Sequence, residues 1–158
     1  MDCEITSCTK KIKRNHEPNV YTVTLNPQES LHVLNSIELC QLFDKDSERL
    51  LFTTHAGDIQ RNIDVDHLYE LKMYQEQHYE KYGYYSFPTQ IIVAEYNGKY
   101  ALIDGQHRLE TIRYLLDVHF ERASTLLVPV LMIQLKSISE YDERFVAVNK
   151  NKPVQLYK

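Results

Sequence analysis

Apolar and polar positions recur along this chain regularly enough to predict its main elements. Val20-Tyr21-Thr22-Val23-Thr24-Leu25 alternates as a strand does. Asn26-Pro27-Gln28-Glu29 then has the form of a helix start, with Asn26 as cap and Pro27 in the first helical position. Leu31, Leu34, Ile37, Leu39 and Leu42 extend that helix as an apolar stripe to about Phe43, and Asp44-Lys45-Asp46-Ser47 ends it. Residues 49–53 predict a short strand. Asp64 is placed to cap a helix running to about Lys81, with Val65, Leu68, Leu71 and Tyr74 or Gln75 on one face. Ile91-Ile92-Val93-Ala94-Glu95-Tyr96 and Lys99-Tyr100-Ala101-Leu102-Ile103 flank Asn97-Gly98, a strong signal for a two-residue hairpin. Leu109, Ile112, Leu115 and Leu116 form the buried stripe of a further helix. Residues 128–135 predict a strand entered by Pro129, whose ring suits a strand start or a sheet edge. Ser137 or Ser139 caps the last helix, Ser139-Glu140-Tyr141-Asp142 resembling a capping box, with Phe145, Val146 and Val148 turned inward.

The junction between the second hairpin strand and its helix is where chemistry concentrates. It reads Asp104-Gly105-Gln106-His107-Arg108. Asp104 suits an N-cap, and Gly105 lets the turn take an unusual φ and admits close approach. Gln106, His107 and Arg108 gather donors at a helix start, where unpaired N–H groups and the helix dipole already favour an anion. Phosphate is the natural guest. Capping, a turn glycine and a surface ion pair account for the same residues about as well when they are read alone.

Composition narrows the setting. With 158 residues, 43% hydrophobic and 25% charged, the chain fits one globular domain able to bury a core. The net charge of −4 supplies no global positive field, so contact with DNA would need a local patch. Lys10-Lys11-Ile12-Lys13-Arg14 is the candidate, weighed against a solvated tail over residues 1–18. Cys3, Cys8 and Cys40 do not form an even disulfide set, and no apolar run approaches a membrane span or precedes them as a signal. An intracellular, cytoplasmic protein with reduced thiols is expected. Cys3 and Cys8 with His16 lack the second tight ligand pair of a metal site, so no protein metal site is expected. There is no P-loop, no H-E-x-x-H and no Rossmann fingerprint.

The pentapeptide resembles the signature of the DGQHR-domain family (DndB-like), within the ParB/sulfiredoxin-like superfamily. Two further pieces match in order: Gln60-Arg61 before a helix, and Phe145 to Asn149 on a phenylalanine-led helix. The resemblance implies an α+β domain over residues 19–158, a small mixed sheet with helices packed around it. It also implies a nucleoside triphosphate with Mg2+, its phosphates held by Gly105, Gln106, His107, Arg108, Gln60, Arg61 and Asn149. Asp104, Glu110 and His107 would be the catalytic candidates, for an NTPase or phosphotransferase linked to DNA transactions. Two departures limit it. Gln106 stands where sulfiredoxin keeps its thiol, which removes thiol redox chemistry at this turn, and Val148 replaces the ParB-type Glu beside Asn149.

Several residues keep a plainer reading beside this one. Arg61 could pair with Asp58 or Asp64 rather than clamp phosphate, and Asn149 could simply cap a helix C-terminus. Tyr69, Tyr74, Tyr79, Tyr82, Tyr84 and Tyr85 could stack on bases, although half-buried packing is the commoner fate. The alternative functions are a non-catalytic, DNA-associated regulator using the same turn on DNA phosphates, and a ParB-like nuclease. The nuclease ranks last, for want of a dense carboxylate cluster.

Overall fold

The computed structural model describes residues 9–12, 20–44, 48, 50–51 and 63–150. They form an α+β domain around a six-stranded mixed sheet. The strands are β1 (Thr9–Ile12), β2 (Val20–Thr24), β3 (Glu29–Asn35), β4 (Ile91–Tyr96), β5 (Lys99–Asp104) and β6 (Leu127–Gln134), in spatial order β1-β2-β3-β6-β4-β5. Neighbours are antiparallel except β4 and β6, whose parallel pairing needs a crossover between them. The crossover consists of β5, helix α3 (Gln106–Val118) and the short α4 (Phe120–Ala123). The remaining helices are α1 (Ser36–Leu42), α2 (Val65–Tyr82) and α5 (Glu140–Lys150).

Helices cover both faces of the sheet. On one, Leu39, Leu42 and Phe43 at α1 and Leu109 and Ile112 of α3 pack on Ile91, Val93, Leu102, Val128 and Val130. On the other, Tyr141 of α5 packs on Ala94, Ala101, Ile103 and Ile133, with Phe145 and Val148 at its margin. The alternation Ala101/Leu102/Ile103 therefore sends successive side chains to opposite cores, as strand pleating requires. Val146 is 59% exposed and does not turn inward, because Tyr141, Phe145 and Val148 already define the packed side of α5.

The hairpin at Asn97-Gly98 forms as its sequence predicts, with φ of 53° and 78° at the two residues, the left-handed pair that matches strand twist. Asp64 caps α2 through its carboxylate, which accepts from the His67 N–H. The buried member of α2 is Gln75, whereas Val65 and Tyr74 are exposed. The Gln75 amide donates to Ser86 O and accepts from Ser86 N, which ties the segment returning from α2 to the helix.

The largest departure lies at residues 26–35. No helix starts at Asn26. Its Oδ1 instead accepts from the backbone N–H groups of Gln28 and Glu29, closing a turn between β2 and β3. The chain then stays extended to Asn35, which is the true cap of α1 and accepts from Ile37 N at 2.8 Å. The strand prevails because all seven of its residues pair with β6, and Ser30, Leu31 and His32 pair with β2 as well.

Pro129 also differs from expectation. Strand β6 is central, and Pro129 sits opposite Val33 one residue before the first position paired with β4. The strand predicted at residues 49–53 shows, among the described residues, only a bridge from Leu50 to Tyr100. Ahead of α5, the Ser137 and Ser139 hydroxyls bond to each other, and the Glu140 carboxylate accepts from Lys136 N. Part of the segment expected to be a polar tail, Thr9–Ile12, forms the edge strand of the sheet. No helix among the described residues is long and apolar enough to cross a membrane.

Candidate functional site

Gly105 sets the geometry of the site. It is buried with φ of 111°, and a Cβ there would meet Ile91 Cγ1 at 2.9 Å. A left-handed backbone pressed onto β4 accepts only glycine. Gly105, not Asp104, is therefore the N-cap of α3, and no side chain caps that helix. The correction has a local cause: Asp104 is the last residue of β5, and its carboxylate faces the Arg108 guanidinium at 3.2 Å.

Above this turn lies a cleft of about 210 Å³, lined by residues 102–108 and by His67, Leu71, Phe145 and Asn149. Three helices meet there. His107 Nε2 accepts from Asp64 N at 2.9 Å, so the N-termini of α2 and α3 are drawn together, and the His67 ring stands edge-on to His107 at 4.9 Å. The uncapped start of α3 carries a partial positive charge at the cleft, whereas the N-terminus of α2 is already capped by the Asp64 carboxylate. Accepting from a backbone N–H requires His107 to be neutral with its proton on Nδ1. From the other side, the Asn149 amide donates to Ile103 O at 3.3 Å and to Phe145 O at 2.8 Å. It sits within α5 and reaches across to the strand end instead of capping the helix C-terminus.

Arg108 is heavily engaged. Its guanidinium donates to Thr89 Oγ1, to Gln90 O at 2.8 Å and to Asp104 Oδ2. This pins the segment before β4 to the first turn of α3 and leaves Arg108 a wall of the cleft, 21% exposed, rather than an extended arm. Thr111 bonds back to His107 O and steadies the same turn.

Of the predicted site residues, Asp104, Gly105, Gln106, His107, Arg108 and Asn149 come together. Glu110 does not. It pairs with Arg113, whose guanidinium also donates to Phe43 O, in a separate depression lined by Cys40 and Phe43. Gln60 and Arg61 lie outside the described residues. None of the six clustered tyrosines lines the cleft: Tyr82 and Tyr84 gather with Tyr74 around the His78 ring, and Tyr79 packs on buried Tyr85. His67, Leu71, Leu102, Ile103 and Phe145 line the cleft although sequence reasoning did not place them in the site. Asp64 as cap placed His67 in the first turn of α2, but nothing in the sequence said that this turn faces His107.

Among the described residues, no group of three His, Cys, Asp or Glu side chains is placed to hold a metal ion. No protein-family model, curated protein or solved structure matches the chain.

Proposed function

We propose that the protein binds a nucleoside triphosphate, with its phosphates at the turn formed by Gly105, Gln106, His107 and Arg108. One observation carries this reading: α3 begins at a glycine with no side-chain cap, and a cleft opens directly onto that turn. Such a place offers backbone donors and dipole charge to an anion and has few other uses for them. The resemblance to the DGQHR-domain family and its ParB/sulfiredoxin-like fold points to the same ligand. A cleft of about 210 Å³ suits a phosphate tail, with the base lying outside it. Mg2+ would arrive with the nucleotide, and Asp104 is the carboxylate nearest to meet it.

A second reading, binding without turnover, is favoured by a specific observation. Asp104 is committed to Arg108, and Glu110 lies at a different depression, so the cleft is poor in groups to orient an attacking water. On that reading the same turn holds DNA phosphates in a regulatory module. The test is calorimetric titration of the protein with ATP, CTP and GTP in Mg2+, beside Gln106→Ala and Arg108→Ala. Saturable binding that weakens in Gln106→Ala, at unchanged thermal stability, supports the nucleotide site. Absence of binding to all three refutes it, and salt-dependent DNA binding then favours the regulator.

A further inference from the structure

A second cleft lies over β3, away from the α3 turn, and shares no lining residue with it. Its volume is about 530 Å³, within the range of small-molecule sites. Ser30 and His32, two positions apart on β3, project into it together with Leu34. Ser30 Oγ lies 2.8 Å from His32 Nε2, and Thr22 Oγ1 of β2 lies 3.3 Å from His32 Nδ1. With the ring proton on Nδ1, His32 donates to Thr22 and accepts from the Ser30 hydroxyl. That is the order of contacts that activates a serine nucleophile.

We propose that Ser30 and His32 form a nucleophile–base pair that hydrolyses small carboxylic esters in this cleft. Ser30 Oγ attacks the acyl carbon as its proton passes to His32 Nε2. The bond to the leaving alcohol breaks and that oxygen takes the proton from Nε2. Water, deprotonated by the same nitrogen, then attacks the acyl-serine, releasing the acid and returning the proton to Ser30. Thr22 is a positioning residue, fixing the tautomer and orientation of the ring.

The surroundings define the substrate. Leu34, Leu42 and Met132 offer an apolar floor to a short acyl chain. The lining carries Glu29, Glu38 and Glu95 and no Lys or Arg, which disfavours anionic esters. Glu29 is already paired with Arg144, whereas Glu38 Oε1 is buried without a hydrogen-bond partner among the described residues. The third member of the chain of contacts is a neutral hydroxyl, where serine hydrolases keep a carboxylate that stabilises the imidazolium. Esters with good leaving groups, rather than amides, are therefore within reach. Burial lowers the His32 pKa from its ordinary value, which keeps the ring neutral and available as a base at neutral pH.

The experiment uses the full chain with p-nitrophenyl acetate, and separately with a fluorophosphonate probe followed by peptide mapping. Saturable hydrolysis above the uncatalysed rate is expected, with the probe on Ser30 and both signals lost in Ser30→Ala. In His32→Ala the rate falls by about a hundredfold and recovers partly with added imidazole. Thr22→Val lowers kcat with KM unchanged. Circular dichroism of each variant separates loss of chemistry from loss of fold. Probe on another residue, hydrolysis persisting in folded Ser30→Ala, or no hydrolysis above background overturns the assignment.

Discussion

Replacing Glu140 with Gln should expose how the helix that brings Asn149 to the cleft is fastened. The Glu140 carboxylate accepts from Lys136 N at 2.6 Å, from Gln28 Nε2 at 3.1 Å and from Arg144 Nε at 2.9 Å. Arg144 reaches on to Glu29, and Gln28 exchanges bonds with Gln134, so one carboxylate joins the β2–β3 turn, the end of β6 and α5. The Lys136 backbone N–H first, then Gln28 and Arg144, hold the Glu140 carboxyl down at about 2, against an ordinary 4.5. A drop of that size corresponds to roughly 3 kcal/mol if fully expressed. Glu140 sits at the rim, where water screens part of the interaction, so about 1–2 kcal/mol is the expected share. Because the folded value lies below the unfolded one, this stability is complete above about pH 4.5. It drains away as pH falls toward 2. Urea denaturation at pH 7 should therefore place Glu140→Gln about 1–2 kcal/mol below the parent, with a Tm lower by about 2–4 °C per kcal/mol. Across a pH series the two proteins should converge as the parent's carboxyl titrates. Equal stability at neutral pH, or a gap that persists unchanged into acid, would refute the reasoning.

Gly105→Ala forces a Cβ into Ile91 at a left-handed backbone, and calorimetric melting should show a loss of roughly 2–4 kcal/mol. Tyr141→Phe removes the buried hydroxyl that donates to Leu102 O, the outer strand's carbonyl, and should cost about 1–2 kcal/mol in chemical denaturation. Partial burial pushes the Cys40 thiol up to about 11, so alkylation mapped by mass spectrometry at pH 8 should modify Cys40 much more slowly than in an unfolded control. Modification there that matches an unfolded control would contradict its burial. Gln75→Leu deletes both bonds to Ser86, and hydrogen exchange should speed up at the Ser86 amide with little change in α3.

Much of this molecule was legible where a local signal sufficed. Asn97-Gly98 demands one kind of turn, Asp64 has a free helix end beside it, and the leucines and isoleucine of α3 recur at helical spacing. Residues 26–35 were misread because Asn26, Pro27 and Glu29 satisfy a helix cap and a side-chain turn equally well. The choice is made by β6, a century of residues downstream, which no local window contains. The site divides in the same way. Gly105 and its neighbours announce a tight turn, yet the capping role passed from Asp104 to Gly105 because the arginine one helical turn on claims the carboxylate. Glu110 fell elsewhere for an equally ordinary reason, an ion pair three residues along the same helix. His67 joined the cleft through the packing of α2 on α3, a relation between helices that neither sequence alone encodes.

The pairing of β3 with β6 also orders events during synthesis. Everything from β4 to β6 is contiguous in the chain, and its contacts close over short separations. Strand β3 emerges early, and the partner on its far side is not translated until residue 127. The β2–β3 hairpin therefore waits with one side unpaired until the later half has been made. Of the described strands, the last to be translated fills the middle of the sheet, so β3 and β4 cannot be joined into one sheet until β6 has been made.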